Sequence, residues 1–235
     1  MRYLLFVAIC FLSNTIIAQS LTPTTLLEKS IAYHDPGNTW NHFQGTFELT
    51  EDKTNRNSRK RKVSLDNSKR TFHYWQSMED DILERWLEKD TCRFLVNGKS
   101  DLTAEEIEKN RLSCDRTKSL RNYYAYIYGL PMKLKDNGTI LGEVVLETTF
   151  DEQPVYGFRV TYDAEVGNDI WYFYFDKKDY HLVGYRFYHD EAKNDGEYIF
   201  LKEEAIIEGI KMPRIRTWYT HQGDRLLGTD ILVRP

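Results

Sequence analysis

Two long stretches of the chain alternate apolar and polar residues at every second position, and this period restricts the fold more than any other feature. The first stretch, from Trp40 to Asn97, contains five such runs, beginning with "FQGTFELT". The second, after the turn dipeptide Asn137-Gly138, contains six or seven more. An alternating period is typical of strands, and the short polar connections between the runs favour antiparallel neighbours, since parallel neighbours need long crossovers.

Helical signals occur in two places. Thr22-Pro23 predicts a helix start, with Thr as the cap and Pro at the first position. In "TAEE", Thr103 and Glu106 form a capping box, and "DRTKSLRNYYAYIYGLP" then predicts a helix that ends near Gly129. So many sequential strands need cover on one side. We therefore expect an α+β, mainly antiparallel fold: a curved sheet or incomplete barrel of about 11 strands, with helices covering its concave side.

The first residues have the layout of a secretory signal peptide. Arg2 precedes an apolar run from Tyr3 to Leu12, which is too short to span a bilayer, and Ala18 is the expected last residue removed. The alternative is a buried first helix. We predict a signal peptide at residues 1–18 and one domain at residues 19–235. No other run approaches 18 apolar residues, so we expect no transmembrane segment in the mature chain.

Charge and cysteine content narrow the functional classes. The formal charge of −4 becomes −5 when Arg2 is removed, and this mild acidity argues against a nucleic-acid partner, for which a basic excess is expected. Cys92 and Cys114 are the two cysteines left after cleavage. In an exported chain an even pair indicates a disulfide, although two separate buried thiols are the alternative.

The stretch "IWYFYFDKKDYHLVGYRFYHD", residues 170–190, places aromatic residues at both odd and even positions of a predicted hairpin. A four-residue loop would pair Phe175 with Leu182. A three-residue loop, with Asp179 in the left-handed position, would pair Phe173 with Val183 and Trp171 with Tyr185. We expect the second register, because it gathers the apolar side chains on one face. That face would contain Trp171, Phe173, Phe175, Val183, Tyr185 and Phe187, extended by Phe158, Val160 and Tyr162, and by Tyr198 and Phe200.

This apolar face is either ordinary core or the lining of a ligand cavity. Aromatic rows on an inward sheet face usually pack as core. The predicted helices are short for so long a concave face, however, and an unfilled apolar pocket would bind apolar ligands. The predicted ligand-binding residues are Trp171, Phe173, Phe175, Val183, Tyr185, Phe187, Phe158 and Val160.

A basic run lies between two predicted strands and comprises Lys53, Arg56, Arg59, Lys60, Arg61 and Lys62. Its simplest interpretation is a solvated hairpin tip whose charges prevent edge pairing. The alternative is contact with anionic lipid headgroups or another acidic partner.

Catalytic and metal-binding patterns are weak. "YHD" occurs at Tyr33–Asp35 and again at Tyr188–Asp190, but adjacent residues of a strand point to opposite faces, so turn and surface roles are favoured over metal or proton chemistry. "HExxH", "GxSxG" and paired "CxxC" patterns do not occur in the sequence. We therefore expect no enzyme activity, no cofactor and no metal site.

Several long phrases carry a family resemblance: "LLEKSIAYHDPGNTW", "YYAYIYGLPMKLKD", "VTYDAEVGNDIWYFYFDKKDY" and "YHDEAKNDGEYIFL". They resemble a domain-of-unknown-function family of exported proteins from Bacteroidota, which has no established activity to carry over. The element order is more distantly similar to the LolA/LolB lipoprotein-carrier fold, an incomplete barrel whose concave face takes lipid chains. The resemblance implies a periplasmic binding module for an apolar or lipid-like ligand. The alternative is an envelope structural or interaction protein with a filled core.

Overall fold

In the residues that this computed structural model describes, 21–53, 56–78 and 81–233, thirteen strands form one antiparallel sheet, and two of the three α-helices pack against it. The predicted signal peptide lies outside these residues. The helices are α1 Pro23–His34, α2 Ala104–Lys109 and α3 Cys114–Tyr128. The strands are β1 Gln44–Lys53, β2 Arg56–Asp66, β3 Thr71–Met78, β4 Asp81–Glu88, β5 Thr91–Val96, β6 Thr139–Leu141, β7 Leu146–Phe150, β8 Gln153–Tyr162, β9 Ile170–Asp176, β10 Leu182–Asp190, β11 Asp195–Ile207, β12 Ile210–Thr220 and β13 Leu226–Leu232.

The sheet is unclosed, and its order is β5-β4-β3-β2-β1-β13-β12-β11-β10-β9-β8-β6. Both β6 and β7 pair with β8, one after the other along its outer edge. The pairing of β1 with β13 joins the two meanders into one sheet. The predicted fold class is confirmed. The strand number exceeds our expectation, in part because residues 139–150 form two short strands where we expected one.

Each helix begins where the sequence places a cap. The Thr25 N–H donates to the Thr22 hydroxyl at 3.1 Å, ahead of Pro23. Thr103 and Glu106 form the predicted capping box, and Gly129 caps the end of α3, near the predicted position. These local bonds satisfy backbone groups that a helix end leaves without a partner. None of the described helices has the length and apolar character needed to cross a membrane.

The disulfide between Cys92 and Cys114 confirms the predicted pairing, with the two Cα atoms 5.5 Å apart. It joins edge strand β5 to the first residue of α3. The helix that covers this half of the sheet is therefore covalently attached to it.

Two apolar clusters hold the helices on the concave face. In the first, Tyr124 and Tyr128 of α3 pack on Phe47 and Phe72 of the sheet. In the second, Leu26 and Leu27 of α1 join a cluster with Phe158, Phe173 and Phe175. Both helices therefore cover the side of the sheet that the sequence analysis predicts to be apolar.

The predicted register of the β9–β10 hairpin is wrong. Phe175 pairs with Leu182, but Phe173 pairs with Tyr185, because a register shift lies between Leu182 and Gly184. A bulge adds one residue to a strand and moves it relative to its partner. In the turn, the left-handed residue is Tyr180, with φ 65°, and not Asp179.

The bulge changes which side chains share the concave face. Val183 lies on the opposite face, in a cluster with Phe150, Val155 and Tyr174, so its predicted place on the concave apolar face is wrong. Leu182 joins the concave cluster in its place. Tyr198 and Phe200 also lie on the convex face, since they pair with Arg186 and Gly184.

Candidate functional site

The concave face of β8–β10 brings most of the predicted ligand-binding residues together in one cluster. Phe158, Val160, Phe173, Phe175 and Tyr185 are all buried, whereas Trp171 and Phe187 are only half-buried. The buried members lie under Leu26 and Leu27 of α1 and under Leu130 and Leu134, which follow α3. One end of this face is thus filled core.

At the other end, aromatic side chains stay partly open to solvent. We call them the aromatic mouth. Trp171 lies 4.7 Å from Phe187 and 5.9 Å from Tyr126, measured between ring centroids. The hydroxyls of Tyr126 and Tyr162 are hydrogen-bonded to each other. The mouth comprises Tyr123 and Tyr126 of α3, Tyr162 of β8, Trp171 of β9, Phe187 of β10 and Trp218 of β12.

Tyr123 is the most exposed residue of the aromatic mouth. Its side chain is 41% exposed. Burial among neighbouring groups nevertheless raises its pKa well above the usual value, and Asp230 and Tyr185 add to the effect. Tyr123 is thus influenced by groups of the concave face, while solvent still reaches the residue.

Strand registers place charged groups at the same end as the aromatic mouth. Glu51 lies opposite Asp230, and Asp230 lies opposite Arg216. Arg61 pairs with Glu51, and its Nη1 lies 3.9 Å from Asp230. Charges this far buried need partners. The mouth is thus flanked by a paired, partly buried charge network.

The basic run therefore divides between the two faces of β2. Arg61 is only 11% exposed and forms ion pairs on the concave side, so the expectation of a wholly solvated tip is wrong for this residue. Lys60 and Lys62 are exposed, and Lys62 pairs with Glu48 at 2.6 Å. The side chains of Lys53 and Arg56 lie outside the described part of the structure.

Arg216 fixes α3 over the sheet. It is 1% exposed. Its Nη2 donates to the Ile127 carbonyl at 2.9 Å, and its guanidinium lies 3.9 Å from the centre of the Tyr128 ring. A cation is favoured at the C-terminal carbonyls of a helix. Its role is therefore structural, and sequence reasoning missed it because an arginine in an alternating strand usually faces solvent.

Glu197 is a half-buried residue that pairs with Phe187 across β10 and β11. The pKa of its carboxyl is raised, first by burial, with His189 opposing the shift. Paired residues on antiparallel strands share a face. The aromatic mouth therefore has one ionisable carboxyl in its wall.

The two "YHD" histidines have different surroundings. His34 is buried and bonds to the backbone of two strands. His189 is exposed, and its hydrogen bond to Asp169 raises its pKa. A third group, Asp176, Asp179 and His181, brings potential metal ligands within 4.8 Å of one another at the β9–β10 turn. There His181 and Asp179 already bond to each other at 2.6 Å.

A cavity of about 1,260 Å³ lies at the end of the sheet away from the aromatic mouth. It is lined by apolar residues such as Leu65 and Phe72 and by polar ones such as Asp66 and Lys69. None of the predicted ligand-binding residues lines this cavity.

Comparison with known proteins identifies the family and the fold. No curated protein matches the sequence. A DUF1329 family protein from Desulfovibrio piger is similar in structure with a TM-score of 0.50, at 12% identity over 89% of this chain and 90% of that chain. A LolA superfamily protein from Nitrosomonas europaea has a TM-score of 0.48, at 10% identity over 91% and 92%. The model of the family of unknown function DUF6503 matches residues 1–235, and the chain therefore belongs to DUF6503.

Proposed function

We propose that the protein is an exported cell-envelope binding module that holds an apolar or lipid-like ligand in the aromatic mouth. The observation that carries this proposal is the set of partly open aromatic rings on the concave face of an unclosed sheet. A ligand that covers apolar surface gains roughly 25 cal/mol for each Å² removed from water. Concave, mostly apolar sites with a few polar groups are typical of small-ligand binding.

The ligand-binding set in this proposal is smaller than the one predicted from the sequence. Trp171 and Phe187 remain in it as half-open walls, and Trp218 and Tyr126 join them. Phe158, Val160, Phe173, Phe175 and Tyr185 form the packed floor beneath. Val183 is not part of it, because it lies on the opposite face.

The charge around the mouth supports an amphiphilic ligand. Lys60 and Lys62 are exposed on β2, whose start lies at the same end of the sheet as the mouth. We call these two lysines the rim. An anionic membrane surface attracts such side chains by about 1 kcal/mol each near the surface. We propose that this rim brings the mouth to an anionic lipid layer, and that the signal peptide directs the chain to the periplasm.

Ligand binding is tested with a fluorescent fatty acid, 11-dansylaminoundecanoate, titrated into the wild type and two variants. Phe187→Glu places a charge in the mouth, and Tyr188→Glu places the same charge on the neighbouring residue of the opposite face. We expect the dissociation constant to rise at least tenfold for Phe187→Glu and less than twofold for Tyr188→Glu. Equal weakening by both substitutions would contradict a site in the mouth.

The alternative function, a structural or interaction protein with a filled core, predicts a different result. Purified native protein would then release no lipid on organic-solvent extraction, and it would not take up the fluorescent fatty acid. Mass spectrometry of the extract distinguishes the two functions. The rim is tested separately with Lys60→Glu/Lys62→Glu, which we expect to weaken binding to phosphatidylglycerol vesicles while leaving fatty-acid uptake in solution unchanged.

A further inference from the structure

A second recess lies on the convex face, away from the aromatic mouth. Its volume is about 390 Å³. We call it the Arg186 cleft. It forms between the β7–β8 turn and the loops that precede β11 and follow β12. Its lining includes Phe150, Arg186, Asn194, Tyr198, His221 and Asp224.

Strand pairing explains why the cleft exists. Arg186 lies between Tyr172 on β9 and Tyr198 on β11. The next position on this face is Gly184, where a Cβ atom would overlap the ring of Phe150. That ring stacks on Tyr174 with the centroids 4.2 Å apart. Because Phe150 fills the space above Gly184, it forms one wall of the cleft and the Arg186 side chain forms part of the floor.

Arg186 has no counterion among the described residues. Its guanidinium lies 5.4 Å from the Phe150 ring centre and 5.3 Å from that of Tyr174. Its Nη1 donates to the Tyr188 hydroxyl at 3.3 Å, while its Nε is buried and has no hydrogen-bond partner in the described part of the chain. A cation that is partly withdrawn from water normally has an anion as its partner.

The carboxylates around the cleft have other partners. Asp151 pairs with Lys202 at 3.2 Å. Asp224 accepts a hydrogen bond from Tyr198 at 3.1 Å, and Glu191 accepts one from Tyr172 at 2.7 Å. None of these carboxylates forms an ion pair with Arg186 in the described part of the chain, so its guanidinium can pair with an anion from outside the chain.

His221 forms part of the wall of the cleft. Its ring stacks on Tyr188 with the centroids 4.3 Å apart, and its Nε2 is buried without a partner within the described ranges. Burial lowers its pKa, with Arg186 adding to the effect and a hydrogen bond to the Phe187 backbone opposing it. The His221 ring thus closes one side of the cleft, and the guanidinium of Arg186 beside it has no ion-pair partner among the described residues.

We propose that the Arg186 cleft binds an acidic saccharide unit, a sugar ring bearing a carboxylate. The carboxylate would pair with Arg186 in the charge-assisted geometry that guanidinium favours. The ring hydroxyls would donate to Asp224 and accept from the Asn194 amide. The apolar face of the ring would lie against the aromatic side chains of Phe150 and Tyr198. This site is independent of the aromatic mouth, because it lies on the other face of β10 and β11.

Isothermal titration calorimetry with D-glucuronate, D-glucose and benzoate tests the proposal in phosphate-free buffer. We expect millimolar binding of glucuronate and at least tenfold weaker binding of glucose and of benzoate. Arg186→Gln should weaken glucuronate binding at least tenfold. The matched control is Lys62→Gln, which removes a 51% exposed cation from the same face of the sheet, four strands away from β11, and should change binding less than twofold.

Three outcomes would overturn the proposal: no heat from glucuronate at tens of millimolar, glucose or benzoate binding as tightly as glucuronate, or unchanged binding by Arg186→Gln. If Arg186→Gln does not fold, as judged by circular dichroism, Asn194→Ala decides instead. Asn194 is exposed, and its loss should weaken glucuronate binding severalfold. Fatty-acid uptake by each folded variant should equal that of the wild type, which separates this site from the aromatic mouth.

Discussion

His34 joins α1 to the sheet, and its protonation should destabilise the protein. It is 3% exposed. Its Nδ1 lies 2.7 Å from the Lys211 carbonyl oxygen, and the Leu182 N–H donates to its Nε2 at 2.9 Å. An Nε2 that accepts a hydrogen bond carries no proton, so the folded protein requires the neutral ring with its proton on Nδ1. Burial lowers the pKa of His34 from 6.5 to about 4, although the bond to Lys211 opposes the shift.

The lowered pKa of His34 determines whether stability rises or falls with pH. Between pH 6.5 and about pH 4 the unfolded chain binds a proton at His34 that the folded protein does not, so stability falls as the pH falls through this window. At roughly 1.4 kcal/mol for each pH unit, the whole effect is about 3 kcal/mol. About 2 kcal/mol of it should be lost by pH 5.

Urea unfolding of the wild type and His34→Gln at pH 7.5, 6 and 5 measures this effect. Other titrating groups are common to both proteins, so the difference between their free energies of unfolding isolates His34. We expect the advantage of the wild type to shrink by about 2 kcal/mol from pH 7.5 to pH 5. His189→Gln is the control, because that exposed ring has a raised pKa and should show no such loss. A difference that stays constant over this range would refute the reasoning.

Three further substitutions test the covering of the concave face and the sheet itself. Cys92→Ser opens a disulfide to Cys114 that spans 22 residues, and calorimetry should show a loss of about 3 kcal/mol, with faster hydrogen exchange at the start of α3. Gly184→Ala should lower stability by about 1–3 kcal/mol, because its Cβ would overlap a packed ring, whereas Gly167→Ala has open space and should be nearly neutral. Arg216→Met removes the cation from the end of α3 and should increase hydrogen exchange in its last turn.

Features that depend on neighbouring residues could be predicted from the sequence. The start of α1 at Thr22-Pro23 and the capping box at Thr103 depend on bonds across three residues, and both occur where expected. The alternation of β9 correctly places Phe173 and Phe175 on the concave side. These predictions succeed because each is decided by a residue and its close neighbours along the chain.

The position of Val183 could not be predicted in this way. Both registers considered for the hairpin assume that the two strands pair without interruption. The bulge gives an arrangement that shares some features with each of them. It keeps the Phe175–Leu182 pair of the longer loop and still places Phe173 and Tyr185 on the same face. Whether the strand takes up an extra residue there depends on β8 and β11 on either side, not on the hairpin alone.

The buried network at Arg61 was missed for a related reason. Phe47, Leu49 and Glu51 occupy alternate positions of β1, so Glu51 lies on the concave side, where its charge needs a partner. The partners are Arg61 and Asp230. Asp230 is far away in sequence, and the pairing of β1 with β13 that brings it close leaves no local signal in either strand.

The pairing of β1 with β13 also orders the assembly of the molecule. Every other pair of adjacent strands from β1 to β5 and from β8 to β13 joins neighbours in the chain, so two separate meanders can form early. β13 is translated after all the other described strands, and until it docks, β1 has an unpaired inner edge beside it. Such edges are open to pairing with other chains. We therefore expect aggregation by edge pairing to be most favoured in the interval before β13 docks.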